Sequence, residues 1–286
     1  MHIIIISGLS GSGKSIALNM LEDVGYYYVD NLPSLLLQPL VEMLGQQGYD
    51  KIAIALNIRG EDGVTMLPQQ LKALRAPEYD IQFLFLDAKD DTLLKRYLET
   101  RRKHPLVDDE RTLVEAIALE RKLLSHLGGI GHRIDTSDVK PNTLREWVRQ
   151  LIAIDPHNSL VLLFESFGFK HGVPLDAELV FDVRCLPNPF YEQNLQLLTG
   201  LDKPVIDFLE AELEVVKMRN DIAQFIATWL PAYICDNRSY LSVGIGCTGG
   251  QHRSVYLAEW LGKNFSDQAK VLIRHRELPL ATTAVV

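Results

Sequence analysis

Short apolar runs alternate with amphipathic stretches through the first half of the chain, the pattern of parallel strands covered by helices. Strands are expected at His2–Ser7, Tyr26–Val29, Lys51–Ile58, Ile81–Leu86 and, on a shorter pattern, His132–Asp135. Between them, Ile16, Leu18, Met20, Leu21 and Val24 recur at helical spacing and stop at Gly25, a natural helix end. Leu93, Leu94, Tyr97 and Leu98 open a second helix that runs into a basic end, and Leu144, Trp147, Val148 and Leu151 mark a third. The polar, proline-containing stretch 154–159 reads as a boundary. Beyond it come a strand-like run at Leu160–Phe164, a region of Gly and Pro turns, a helical region over Val205–Trp229, a strand at Tyr240–Ile245 and a helix from near Arg253. The expected class is α/β: residues 1–153 form a parallel sheet with helices on both faces, and residues 160–286 form a second, smaller α/β domain.

Composition narrows the function classes. The chain has 286 residues, 47% of them hydrophobic and 23% charged, which is globular usage. No apolar run approaches the roughly 20 residues of a membrane helix, and Ile3–Ile6 is too short, with no basic lead-in, for a secretory signal. The net charge of −8 gives no global field for nucleic acid, so any such contact has to be local. Three cysteines, Cys185, Cys235 and Cys247, are an odd number without metal-type spacing, which favours a reducing cytoplasm over a disulfide framework.

The most specific chemistry lies in Gly8-Leu9-Ser10-Gly11-Ser12-Gly13-Lys14-Ser15, a full match to G-x-x-x-x-G-K-[ST] between a strand and a helix. Its glycines let backbone N–H groups turn toward phosphate oxygens at the positive end of the helix. Lys14 offers a cation to the β- and γ-phosphates and Ser15 a hydroxyl to Mg²⁺. Asp87 closes the strand Phe83–Leu86 where a second metal-side acid belongs, and Asp30 ends the second strand at the same sheet edge. Arg96 and Arg101, Arg102 and Lys103 form a basic run in an acidic domain, expected to act as a lid that brings guanidinium charge to the transferring phosphoryl group. The alternative is that these cations complement the end of a helix dipole.

A second anion-type loop is Cys247-Thr248-Gly249-Gly250-Gln251-His252-Arg253, again between a strand and a helix. The amides of Thr248, Gly249 and Gly250 are expected to form a nest, with Arg253 as a bidentate clamp. The five residues separating Cys247 from Arg253 also match the spacing of cysteine phosphatases. Two readings stay open, a catalytic thiolate and a loop that binds phosphate without cutting; the second is preferred, since no general-acid loop is legible. Asp182 and Arg184 fall on one face if their segment is a strand. With Glu165, Lys170 and His171 they suggest a polar pocket for a phosphorylated metabolite.

Seven stretches carry a resemblance that runs from end to end: GLSGSGKS (8–15), YVDNLP (28–33), RYLETRRKHPL (96–106), FESFGFKHG (164–172), FDVRCLPNP (181–189), TGLDKPV (199–205) and IGCTGGQHRSV (245–255). In these the chain resembles the RapZ/YvcJ family of bacterial P-loop nucleotide-binding proteins, whose enteric members act as RNase adapters. The resemblance implies a P-loop NTPase or kinase-like fold, ATP and GTP binding with slow Mg²⁺-dependent hydrolysis at the first loop, and a guanine-nucleotide segment that falls on Asn57, Ile58, Arg59 and Gly60. Asn57 stands where the family usually has an acid. The resemblance further implies a sugar-phosphate sensor at Cys247–Arg253 and small-RNA binding in partnership with an endoribonuclease; a homo-oligomer is expected as well. Lys270, Arg274 and Arg276 match the basic segment for RNA, but no cation follows Arg276. A small-molecule kinase is the alternative to the regulatory adapter.

Overall fold

In the computed structural model, β1 (His2–Gly8), β2 (Tyr27–Pro33), β3 (Lys51–Asn57), β4 (Asp80–Asp87) and β5 (His132–Asp135) form one parallel sheet in the order β2-β3-β1-β4-β5. The residues described are 1–57, 61–74, 78–100, 103–108, 111–153, 160–236, 238 and 240–279. Each of these strands but the first of the chain follows a crossover built from α1 (Lys14–Asp23), α2 (Leu37–Gln46), α3 (Glu61–Ala73), or α4 (Asp90–Thr100) with α5 (Leu113–Leu124), and α6 (Pro141–Ile152) follows β5. Central β1 has Ile3, Ile4, Ile5 and Ile6 fully buried, as a strand covered on both faces demands. The chain divides into two compact units, Met1–Ala153 and Ile154–Val286.

Local chemistry sets several of these boundaries. Gly13 precedes α1 in a left-handed conformation (φ 104°), and Gly25 (φ 89°) follows its end. Thr112 and Glu115 form a reciprocal capping box at the start of α5. Pro141 occupies the first turn of α6, where its missing N–H costs nothing. Helices α2, α3 and α5 were not apparent from periodicity; α3 contains both Gly63 and Pro68, which weaken a helical pattern.

The second unit has its own parallel sheet, in the order β7-β8-β6-β9, from β6 (Val161–Gly168), β7 (Leu179–Asp182), β8 (Tyr240–Cys247) and β9 (Lys270–His275). Helices α7 (Lys203–Glu210), α8 (Leu213–Cys235) and α9 (Arg253–Phe265) accompany it. The single helical region expected over Val205–Trp229 is thus two helices. Strand β9 departs from expectation as well, since its sequence predicts only a basic segment. Nine of the thirteen residues of α9 are buried, and Phe164 and Phe265 pack in the same apolar cluster.

Candidate functional site

The turn from β1 into α1 is held from behind by side chains on distant elements. Arg96 donates to the Gly11 carbonyl at 3.0 Å and to the Thr136 carbonyl at 2.6 Å. Thr136 in turn donates its hydroxyl to the Ser12 carbonyl at 2.8 Å. With the carbonyls of Gly11 and Ser12 engaged in this way, their peptide planes are fixed, and the loop keeps the form its glycines permit. Gly8 (φ 136°) allows the closest approach: a Cβ there would lie 2.0 Å from the Leu86 carbonyl oxygen. Only glycine fits between the two central strands at that point.

Lys14 begins α1 and bends back over the loop, donating from Nζ to the carbonyls of Gly8 at 2.5 Å and Leu9 at 3.0 Å. Burial lowers its pKa, against the opposing charges of Glu120 and Asp30. Glu120 on α5 accepts from the Ser10 backbone N–H at 2.8 Å and from the Ser10 hydroxyl at 2.7 Å. Its Oε2 also lies 3.2 Å from His104 Nε2. His104 Nδ1 accepts the Leu106 N–H at 3.1 Å, which leaves Nε2 as the protonated nitrogen that donates to Glu120. Burial works against ionisation of Glu120, but the hydrogen bonds from His104 and Ser10 and the charge of Lys14 prevail and hold its carboxyl below the ordinary value. The buried Ser12 hydroxyl has no hydrogen-bond partner among the described residues, an orphan group inside a loop built for oxygen-rich ligands. These features fit a phosphate chain, with exposed Ser15 at the helix start as the oxygen donor for a cation.

Several sequence expectations change here. Asp87 does end β4, but it is 2% exposed and both its oxygens are engaged: Oδ1 by Arg121 at 2.9 Å and by the Ala88 N–H at 2.7 Å, Oδ2 by Arg133. A metal ion would reach it only by displacing an arginine, so Asp87 anchors Arg121 and Arg133 in place of the expected metal. Arg96 braces the loop instead of closing over it. Arg101 and Arg102, expected in the lid, and Ile58, Arg59 and Gly60, expected at the guanine segment, lie outside the described residues. Asn57, the last residue of β3, borders the cleft beside Lys14, and so does Asp30. Among the described residues no cluster of His, Cys, Asp and Glu could hold a metal ion by itself. Sequence reasoning missed Glu120 and Thr136 outright; the one local signal for Glu120 was the capping box five residues upstream.

In the second unit, β8 delivers Cys247 to the turn before α9. The Gly250 N–H donates to Cys247 Sγ at 3.2 Å, and Sγ lies 3.1 Å from the Ser254 hydroxyl. One amide of the expected nest is therefore directed to the thiol. Arg253 is buried at the start of α9, donating from one nitrogen to the carbonyls of Arg184 and Leu186, both at 2.8 Å, and from the other to Thr248 Oγ1 at 3.3 Å. It ties the loop to the segment after β7 as a brace rather than as a free clamp. Asp182, which pairs with Gly246 in the sheet, accepts the Arg184 guanidinium through both oxygens. That pairing, helped by the more distant charge of Arg253, keeps its carboxyl below the ordinary range against the opposing effect of desolvation. Burial lowers the pKa of His252, the residue before α9, against the hydrogen bonds it makes with the backbone at 195–198. A Cβ on Gly249 would meet nothing within 4 Å, so the loop has open space on that side. The sequence-predicted residues Asp182, Cys247, Thr248, Gly249, Gly250, His252 and Arg253 are thus brought together at the β7–β8 edge.

The residues matched to an RNA segment behave differently. Arg274 is 2% exposed, opposite Glu165 in the β6–β9 ladder, and burial lowers its pKa against the charges of Glu165 and Asp176. Arg276 directs its guanidinium to Glu165 at 3.4 Å. Of the three, Arg274 cannot reach a nucleic-acid backbone, a correction that follows from the inward face of β9.

Comparison with known proteins agrees with this two-unit picture. A model of the RapZ-like N-terminal domain matches residues 1–155, and a model of the RapZ C-terminal domain matches residues 160–279. Among curated relatives, a protein of Dechloromonas aromatica is 59% identical over 278 residues, covering 97% of this chain and 99% of its own. One from Aromatoleum aromaticum is 58% identical over 276 residues, covering 96% and 94%. Both are named nucleotide-binding proteins. Solved structures with partial likeness include a sugar kinase from Janibacter sp. HTCC2649, 15% identical with a TM-score of 0.39 over 55% of this chain and 96% of that one. A shikimate kinase from Bacteroides thetaiotaomicron, 11% identical, has a TM-score of 0.35 over 53% and 98%. With family models spanning both units and close relatives over nearly the full length, the chain belongs to the RapZ family.

Proposed function

We propose that the first unit binds a nucleoside triphosphate, ATP or GTP, with Mg²⁺ at Gly8–Ser15 and hydrolyses it slowly, and that the chain acts as a regulatory adapter. The observation that carries this reading is the loop braced through Gly11 and Ser12 by Arg96 and Thr136, with Lys14 folded over it. The names of the close relatives point the same way. On binding, Lys14 exchanges its two loop carbonyls for β- and γ-phosphate oxygens, and the loop amides supply fixed dipoles at no cost of reorganisation. Ser15 would hold Mg²⁺, which supplies charge neutralisation along the phosphates. Titration of the purified protein with ATP and with GTP tests the reading: Lys14→Ala should abolish binding of both, and unchanged binding would refute it.

The second unit is assigned a phosphorylated sugar at Cys247–Arg253, supported by the open side of Gly249 and by Thr248, whose hydroxyl is fixed by Arg253. Binding without cleavage is the reading kept, because the Cys247 thiol is buried and already accepts the Gly250 N–H. Thermal shift against hexose phosphates and their unphosphorylated parents tests it, and equal shifts for the two would count against it. The small-RNA and endoribonuclease arm rests on family membership and on Lys270, since Arg274 and Arg276 are drawn toward Glu165. A gel shift with bacterial small RNA at low salt reads it directly.

A further inference from the structure

A cleft shares its wall with the P-loop and is bordered on the far side by the ends of β2 and β3. Gly8, Ser10 and Lys14 line one side; Asp30, Asn31 and Asn57, from the ends of β2 and β3, line the other. The sheet is deformed to put two of them there. Val29 pairs with Ile54 and Leu32 with Leu56, so Asp30 and Asn31 together oppose the single residue Ala55. Asn31 takes a left-handed conformation (φ 60°), which a non-glycine residue seldom adopts. Bulges of this kind re-aim side chains beside active sites. Asp30 comes close enough for its charge to raise the Lys14 pKa.

Charge decides what can enter. Lys14 is the only cation among the described residues lining the cleft, and a γ-phosphate would take it; Asp30 and Glu120 then repel any second anion. The amides of Asn31 and Asn57 both donate and accept, as recognition of hydroxyl groups requires. Leu56 and Leu106 give the carbon skeleton apolar walls.

We infer that this cleft is the acceptor site of a phosphoryl transfer, taking a small uncharged polyol, with Asp30 as the catalytic base; the inference rests on the nucleotide reading above. The acceptor oxygen forms a bond to the γ-phosphorus while its proton passes to the Asp30 carboxylate. The bond from that phosphorus to the β–γ bridging oxygen breaks, and its electron pair leaves with the nucleoside diphosphate. Alcohol and nucleoside triphosphate thus become phosphomonoester, nucleoside diphosphate and a proton.

The test supplies full-length protein with γ-labelled ATP, Mg²⁺ and, in turn, glycerol, myo-inositol or D-glucose, and separates phosphomonoester from inorganic phosphate. At least one alcohol should be phosphorylated well above its mole ratio to water. Asp30→Asn should lower that transfer about 100-fold or more, the usual reach of a general base. ATP affinity, titrated on the same samples, should stay or rise in Asp30→Asn, since a negative charge near the phosphate site is removed; this also reports that the variant is folded. Inorganic phosphate as the sole product with all three alcohols, while ATP binds, overturns the inference and leaves the nucleotide reading standing. Transfer at the wild-type rate by Asp30→Asn overturns the role of Asp30. Failure of the wild type to bind ATP is the separate failure of the nucleotide reading, and it removes this inference with it.

Discussion

The two anion-type loops share a strand, a glycine-bearing turn and a helix, yet they are built with opposite tolerances. The first is wedged against the sheet: Gly8 leaves no room for a side chain, and the carbonyls of Gly11 and Ser12 are held by residues from the far end of the unit. The second is held by its own arginine. Arg253 fastens the turn to the carbonyls of Arg184 and Leu186, while Gly249 faces open space. A loop preset from behind suits a ligand whose shape never varies, such as a phosphate chain. A loop with one open face leaves room for the body of a ligand as well as its phosphate. The comparison teaches that a glycine-rich turn is defined less by its glycines than by what occupies its carbonyls.

The largest effect that would sharpen this contrast is expected from Gly8→Ala. Its Cβ meets the Leu86 carbonyl oxygen in a conformation that alanine resists, so urea unfolding should show a loss of about 3 kcal/mol or more. Little change there would break the claim that the first loop is wedged.

Glu120→Gln comes next. A glutamine has one acceptor oxygen where the carboxylate serves Ser10 twice and His104 once, and a loss of about 1.5–3 kcal/mol is expected near neutral pH. The sign with pH follows from the depressed carboxyl. Because the folded value lies below the unfolded one, the contribution is present above the unfolded pKa and fades as pH falls through the folded value. Stability curves of wild type and variant should therefore converge on acidification. Parallel curves down to the lowest pH would show that Glu120 is not ionised in the folded protein.

In the second loop, Cys247→Ser keeps the size of the side chain but exchanges a soft acceptor for a hydroxyl in an apolar cluster. About 1 kcal/mol of destabilisation is expected, with the hexose-phosphate thermal shift retained. Loss of that shift with an intact fold would move Cys247 from packing into the ligand's contacts. The smallest effect belongs to Gly249→Ala, within about 0.5 kcal/mol in unfolding, since the new methyl group meets nothing. A weaker hexose-phosphate shift in this variant would place the ligand on the open face; a loss of fold would erase the difference between the loops.

What the sequence determined by itself was whatever chemistry is carried within a few residues. The P-loop, the second loop, the strands of the first sheet, β6 and β8 of the second, and the resemblance that led to the family were legible, because glycine positions, strand alternation and helix starts act locally. The tertiary structure decided the partners. Ser10 and Glu120 are 110 residues apart, and Ser12 and Thr136 are 124 apart, so no spacing could announce either contact. Asp87 stands where a metal-side acid was expected, but two arginines that only the fold brings near take its oxygens. Arg274 gives the plainest case. In the sequence it is one cation of a basic run, whereas in the sheet the pleat turns it inward opposite Glu165, where burial keeps it from a ligand at the surface.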